Sequence, residues 1–200
     1  MNSLRTLRVR RGAIAVTAVA VLPLSAAAWS GGAQAAVPAA GTVEEPFGPG
    51  CADVPEEGPG SFAAMAEQPV ATAASENPAL STLTTAVKRA GLVDTLNNAK
   101  DITVFAPTND AFAKIPKADL DEVLADKAKL TEILTYHVVG QKLTPEQMEN
   151  GTFETLQKST LTTKGSGEEF TVNDSSKVVC GDVKTANATV HVVDTVLMPE

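Results

Sequence analysis

Residues 102–112 (ITVFAPTNDAF) and 185–199 (TANATVHVVDTVLMP), about eighty residues apart, constrain the fold of this chain more than any other part of it. In the first, Ile102, Val104 and Phe105 form a β-branched and aromatic run, and Pro107 then removes a backbone donor, so a strand must end there. Thr108, Asn109 and Asp110 follow with short side-chain oxygens suited to capping a helical turn that carries Ala111, Phe112 and Ile115. In the second, Val190, Val192, Val193, Val196 and Leu197 are nearly continuously apolar, the pattern of a strand covered on both faces. Both blocks are expected in the core.

Between and around them the chain alternates helix signals with turn signals. Ser61 is placed to cap a helix bearing Phe62 and Met65. Asn77 and Pro78 open another, with Leu80, Leu83 and Val87 at helical spacing until Gly91, and a short helix holds Leu92, Val93 and Leu96. Pro116 stands in the first turn of a helix bearing Leu120, Val123 and Leu124. Asp126 caps one with Leu130, Ile133 and Leu134, which runs into Tyr136-His137. Thr144-Pro145-Glu146-Gln147 has the form of a capping box. From Thr152 the apolar period becomes two, with Lys164-Gly165-Ser166-Gly167 as a hairpin and Asn173-Asp174-Ser175-Ser176 as a turn. Helices first and strands later, with one strand inserted early, predict an α+β domain with segregated layers.

The N-terminus predicts export. Arg5, Arg8, Arg10 and Arg11 precede an apolar stretch from Ala13 to Leu24, and Ala33-Gln34-Ala35 supplies the small residues of a cleavage site. Residues 1–35 are read as a secretory signal peptide, 36–60 as a flexible Pro/Gly/acidic arm containing Cys51, and 61–200 as one folded domain. The apolar stretch is short for a membrane span, Cys51 lacks a lipoprotein cleavage box, and Met198-Pro199-Glu200 adds no sorting signal. The expected product is secreted and extracellular, loosely wall-associated at most, with no stable membrane anchor. Only Cys51 and Cys180 are present, and an even pair in an oxidising compartment is read as a disulfide.

Charge narrows the partners. The whole chain has 16 basic and 24 acidic residues, and residues 1–35 carry four arginines and no acid. Cleavage would thus leave 12 against 24, a net charge of −12. Nucleic acid and anionic membrane are disfavoured, since both require clustered cations. Catalytic motifs are absent: there is no Gly-x-Ser-x-Gly, phosphate loop or dinucleotide fingerprint. The two histidines, His137 and His191, lack zinc-motif spacing, and Glu56-Glu57 and Glu168-Glu169 fall in loop or hairpin sequence. No catalytic residue, metal ligand or cofactor is expected.

The Ile102 and Thr185 blocks, together with Tyr136-His137, resemble the signature blocks of the fasciclin-type (FAS1) domain. The resemblance is closer still to the secreted fasciclin-type antigens of mycobacteria, beginning at Phe47-Gly48-Pro49-Gly50-Cys51. It implies a wedge-like β sandwich with several helices packed to one side, and one disulfide. The function it implies is non-enzymatic adhesion to an extracellular protein, cell-surface or matrix partner. The alternative is an extracellular carrier of a small apolar or carbohydrate ligand, held in a groove between the helices and the wedge. In animal members the Tyr-His block has been linked to integrin recognition, so Tyr136 and His137 are candidate partner-binding residues. Asp182-Val183 falls where those proteins bear an Asp-Ile adhesion motif. Each has a plainer reading: His137 as a core histidine tying a helix to a strand, Asp182 as a strand residue facing solvent. Where many members have Asn-Gly before the last strand, this chain has Asn187-Ala188-Thr189, so either Asn187 takes a positive φ or the turn differs. The oligomeric state is not legible.

Overall fold

A computed structural model describes residues 45–199. The signal peptide expected over residues 1–35 lies outside them, as does the first part of the arm.

The helices form where sequence signals placed them, and one further helix forms where none was legible. The Ser61 hydroxyl accepts from Ala64 N to start α1 (Phe62–Glu67). Asn77 caps a 3-10 turn over Pro78–Leu80, after which α3 (Ser81–Ala90) runs to a left-handed Gly91 at φ 74°. α4 (Val93–Asn98) follows. Thr108 caps α5 (Asn109–Ala113), α6 spans Lys117–Ala125, and Asp126 caps α7 (Lys127–Tyr136) by accepting from Ala128 and Lys129. Both halves of the capping box at Thr144 and Gln147 form, opening α8 (Pro145–Met148).

The further helix is α2 (Val70–Glu76), which has no side-chain cap at its own N-terminus. Its first amides are satisfied from far away: Asn187 Oδ1 accepts from Val70 N at 2.8 Å, and Asn97 Oδ1 accepts from Ala71 N at 3.0 Å. Asn187 also donates through Nδ2 to the carbonyls of Leu96 and Ala99, both at 2.7 Å. Its backbone is not at positive φ. The Thr185 hydroxyl and backbone close the turn on Ala188 instead, which resolves the departure from Asn-Gly. One side chain therefore joins α2, α4 and the last strand. Asn187→Ala is expected to leave three backbone groups without partners and to cost about 2–4 kcal/mol, read as a lowered midpoint in denaturant unfolding.

Seven strands follow the order β2-β1-β7-β6-β5-β4-β3. They are β1 (Ile102–Pro107), β2 (Val138–Val139), β3 (Asn150–Glu154), β4 (Thr160–Ser166), β5 (Glu169–Val172), β6 (Ser176–Lys184) and β7 (Ala188–Val193). β1 and β7, the two blocks that dominate the sequence, pair in parallel from Ile102 with Ala188 to Pro107 with Val193. The remaining strand pairs are antiparallel. A bridge between Val139 and Thr155, with Leu156 N donating to Val138 O at 2.8 Å, brings the two ends of the sheet together and protects both edges. The result is the expected α+β architecture, a wedge-like curled sheet with helices packed beside it.

Every residue of β1 and β7 is buried, as the apolar runs predicted. Alternation then divides them between two cores. Ile102, Val104, Ala106, Val190 and Val192 face the helices. Phe105 and Val193 face the interior of the curled sheet, with Phe153, Leu161, Phe170 and Val172.

The arm expected over residues 36–60 requires correction from Phe47 onward. Phe47 and Gly181 exchange backbone hydrogen bonds at 3.1 and 2.7 Å, a 3-10 turn spans Pro49–Asp53, and Cys51 is bonded to Cys180 with a Cα separation of 4.8 Å. The Pro/Gly composition serves close approach here. A Cβ on Gly181 would lie 2.2 Å from the Phe47 ring, and one on Gly48, at φ 105°, 2.6 Å from Val179 O. Composition alone does not separate a flexible arm from a strap held by a disulfide and a pair of backbone bonds.

Candidate functional site

The four residues singled out for partner binding are all enclosed. Tyr136, the last residue of α7, is 4% exposed. Its hydroxyl donates to Thr160 O at 3.1 Å and accepts from Asn173 Nδ2 at 2.7 Å. His137 is 2% exposed. Leu197 N can only donate, so His137 Nε2 accepts from it at 3.0 Å. The proton then lies on Nδ1 and is donated to Ile133 O at 2.8 Å. This is the core histidine of the plainer reading, and burial lowers its pKa to about 4.

Asp182 fits neither of its readings. It is 0% exposed, sits at φ 58° within an irregular stretch of β6, and places one carboxylate oxygen on Lys184 while the other has no partner. Burial raises its carboxyl above the ordinary range, against the opposing pull of Lys184. Val183 beside it is buried in the helix-side core. His137, Asp182 and Val183 thus present no side-chain surface on which a partner could dock directly, and Tyr136 offers only the edge of its hydroxyl.

His191 is also enclosed. Its Nδ1 accepts from Asp182 N at 3.2 Å, its ring stacks on Phe105 with centroids 5.6 Å apart, and burial drives its pKa to about 3. Among the described residues, the ring nitrogens of both imidazoles bond only to backbone groups. Among the described residues no group of three or more His, Cys, Asp or Glu side chains is placed to hold a metal ion, and no helix is long and apolar enough to cross a membrane.

Two of the recesses among the described residues bear on recognition. The first is a polar groove of about 630 Å³. The Tyr136 hydroxyl reaches it, Thr160, Thr162, Asn173 and Ser175 line it, and Met198 at 44% exposure edges it. Its wall is held in place: Asn173 Oδ1 accepts from Thr162 N at 2.9 Å, and Asp174 pairs with Lys164 at 3.0 Å. Asn173 and Asp174 take positive φ values of 49° and 53°, which short polar side chains tolerate. In the sequence these residues read only as a turn.

The second is an apolar cavity of about 130 Å³ between the helices and the β1–β7 pair. A void of that size forfeits contacts worth about 3 kcal/mol relative to a closed core. It lies where the carrier reading places a groove, between helices and wedge, but no local pattern marks its lining, because a cavity is what remains when the volumes of several distant elements fail to sum.

Comparison with known proteins decides the family. The Fasciclin domain family matches residues 78–199, more than half of the chain. This chain belongs to the fasciclin-domain family. The relatives of this fasciclin domain include cell surface glycolipoprotein MPB83 of Mycobacterium bovis, 50% identical over 161 residues, covering 76% of this chain and 72% of the relative. Immunogenic protein MPB70 of the same species is 48% identical over 160 residues, covering 76% and 81%. Protein sll1483 of Synechocystis is 42% identical over 128 residues, covering 63% and 71%. Among solved structures, a FAS1 domain pair from the insect cell adhesion molecule fasciclin I aligns with a TM-score of 0.56 at 19% identity. That alignment covers 68% of this chain and 53% of the other, so the chain spans about half of the pair, and the likeness is one of fold.

Proposed function

We propose that this fasciclin domain is a secreted, non-enzymatic interaction module that binds an extracellular protein, cell-surface or matrix partner through the groove over Tyr136. The observation that carries the reading is the contrast between that groove and the rest of the chemistry. Both histidines and Asp182 are enclosed, whereas the hydroxyl and amide groups around Tyr136 are open, prepositioned and bordered by an exposed Met198. Such a surface offers hydrogen bonds at fixed positions beside an adaptable apolar contact, the composition of a recognition site. The Tyr-His block then acts through the groove it supports. Relatives named as a cell surface glycolipoprotein and an immunogenic protein support placement outside the cell.

The test avoids the core. Ser175→Arg combined with Met198→Glu replaces two exposed side chains at the groove, so the fold should persist. Adhesion of the labelled domain to intact cells and to matrix-coated surfaces is expected to fall about tenfold or more, as for loss of a central contact. Undiminished adhesion by the folded variant would move the site elsewhere.

A further inference from the structure

We infer that the apolar cavity between α2 and α3 is a second binding site, for a small anionic amphiphile. The ligand would be a monocarboxylate whose aliphatic tail, about six carbons long, enters the cavity while the head group meets Lys88 at its mouth. This site does not rest on the groove over Tyr136.

Size sets the tail. The cavity of about 130 Å³ is near the roughly 150 Å³ that admits benzene in an engineered apolar cavity. The wall sets its chemistry. Leu83, Val87, Leu96, Val104 and Val190 supply apolar surface, and the polar groups among them are already engaged. The Thr84 hydroxyl lies 3.1 Å from the carbonyls of Ala74 and Leu80, and both nitrogens of His137 are used as described. A polar group carried deep into the cavity would lose water and gain no partner, so only an apolar tail is accepted.

The mouth sets the head group. The exposed residues of the wall are Thr72 and Ser75, one turn apart on α2, and Lys88 on α3. Thr84, Val87 and Lys88 share one face of α3 at spacings of three and four, which places the ammonium above the apolar wall. Lys88 is the only charged side chain of the cavity wall among the described residues, and it takes part in none of the ion pairs there. Arg89 stands in the same last turn and already complements the C-terminal end of the helix dipole. An uncommitted cation at the opening of an apolar cavity complements a carboxylate.

The test titrates the full secreted chain, labelled for amide NMR, with octanoate, octanol and octylamine. Octanoate is expected to shift the amides of Thr84, Val87, Leu96 and Val190 with a dissociation constant on the order of 0.1–1 mM. Octylamine should bind more weakly. Lys88→Gln, an exposed substitution that leaves the core intact, should weaken octanoate about threefold to fivefold and leave octanol unchanged. Ala74→Leu, at a half-buried position of the wall, should weaken all three probes. No shift at those amides up to about 10 mM octanoate, equal binding of octanoate and octylamine, or an unchanged octanoate affinity in Lys88→Gln would overturn the proposal.

Discussion

Lowering the pH from 7 to 4 is expected to destabilise this fasciclin domain steeply, because it folds around two neutral, buried imidazoles. The folded pKa values are about 4 for His137 and about 3 for His191, both held down by burial. An unfolded histidine titrates near 6.5. Below that pH the unfolded chain binds protons that the folded chain refuses, so stability rises with pH. The contribution is fully present above about pH 6.5 and is lost as pH falls toward the two folded values. Each imidazole contributes a slope of up to ~1.4 kcal/mol per pH unit, so the pair contributes up to ~2.7 kcal/mol per pH unit. Asp182 acts in the opposite sense, since its raised carboxyl takes up a proton more readily when folded, but it is one group against two. Guanidinium unfolding at a series of pH values reads the slope directly. His191→Phe, which preserves the stack on Phe105, should remove about half of it. Stability that stays level from pH 7 to pH 5 would contradict the expectation.

Loss of the Cys51–Cys180 bond is expected to be comparably severe. It closes a loop with a sequence separation of 129, for which chain entropy alone gives about 5 kcal/mol. Whole domains are stable by about 5–15 kcal/mol, so the reduced chain would stand near its unfolding threshold at neutral pH. There is a local consequence as well. The bond anchors Phe47, whose ring packs against Phe170 at 5.3 Å and His191 at 6.4 Å, so its loss would open the inner core at the strap. The check compares denaturation midpoints of the oxidised domain, the reduced domain and a Cys51→Ser/Cys180→Ser variant. The two bond-free forms should agree and both lie far below the oxidised one. Equal midpoints for all three would show that the strap carries no stability.

The fold was legible wherever neighbouring residues decide the outcome. Ile102–Phe105 and Val190–Val193 are apolar except at Thr103 and His191, and they are the central strands covered by two cores. Ser61, Thr108, Asp126 and Thr144 carry acceptors at the distance a helix start requires, and each caps the helix that follows. His137 bonds as a core histidine should, one ring nitrogen donating to Ile133 in α7 and the other accepting from Leu197, although the strand expected to reach Leu197 ends at Val193. The candidate partner site was less legible for the same reason. The Tyr136 and Asp182 blocks are distinctive because they build the interior, and a residue that builds the interior has little surface left for recognition.

By itself, then, the sequence determined the two-faced strands, the helix starts and the pairing of its only two cysteines, since these depend on periodicity, short-range hydrogen bonding and the absence of other thiols. Tertiary structure alone decided the start of α2, which depends on an asparagine 117 residues away, and the conversion of the Phe47 arm into a strap. It also decided the burial of Asp182, the groove over Tyr136 and the cavity beneath Lys88. Each of these is set by how surfaces from distant parts of the chain meet, and no local pattern of side chains records the shape of the space left between them.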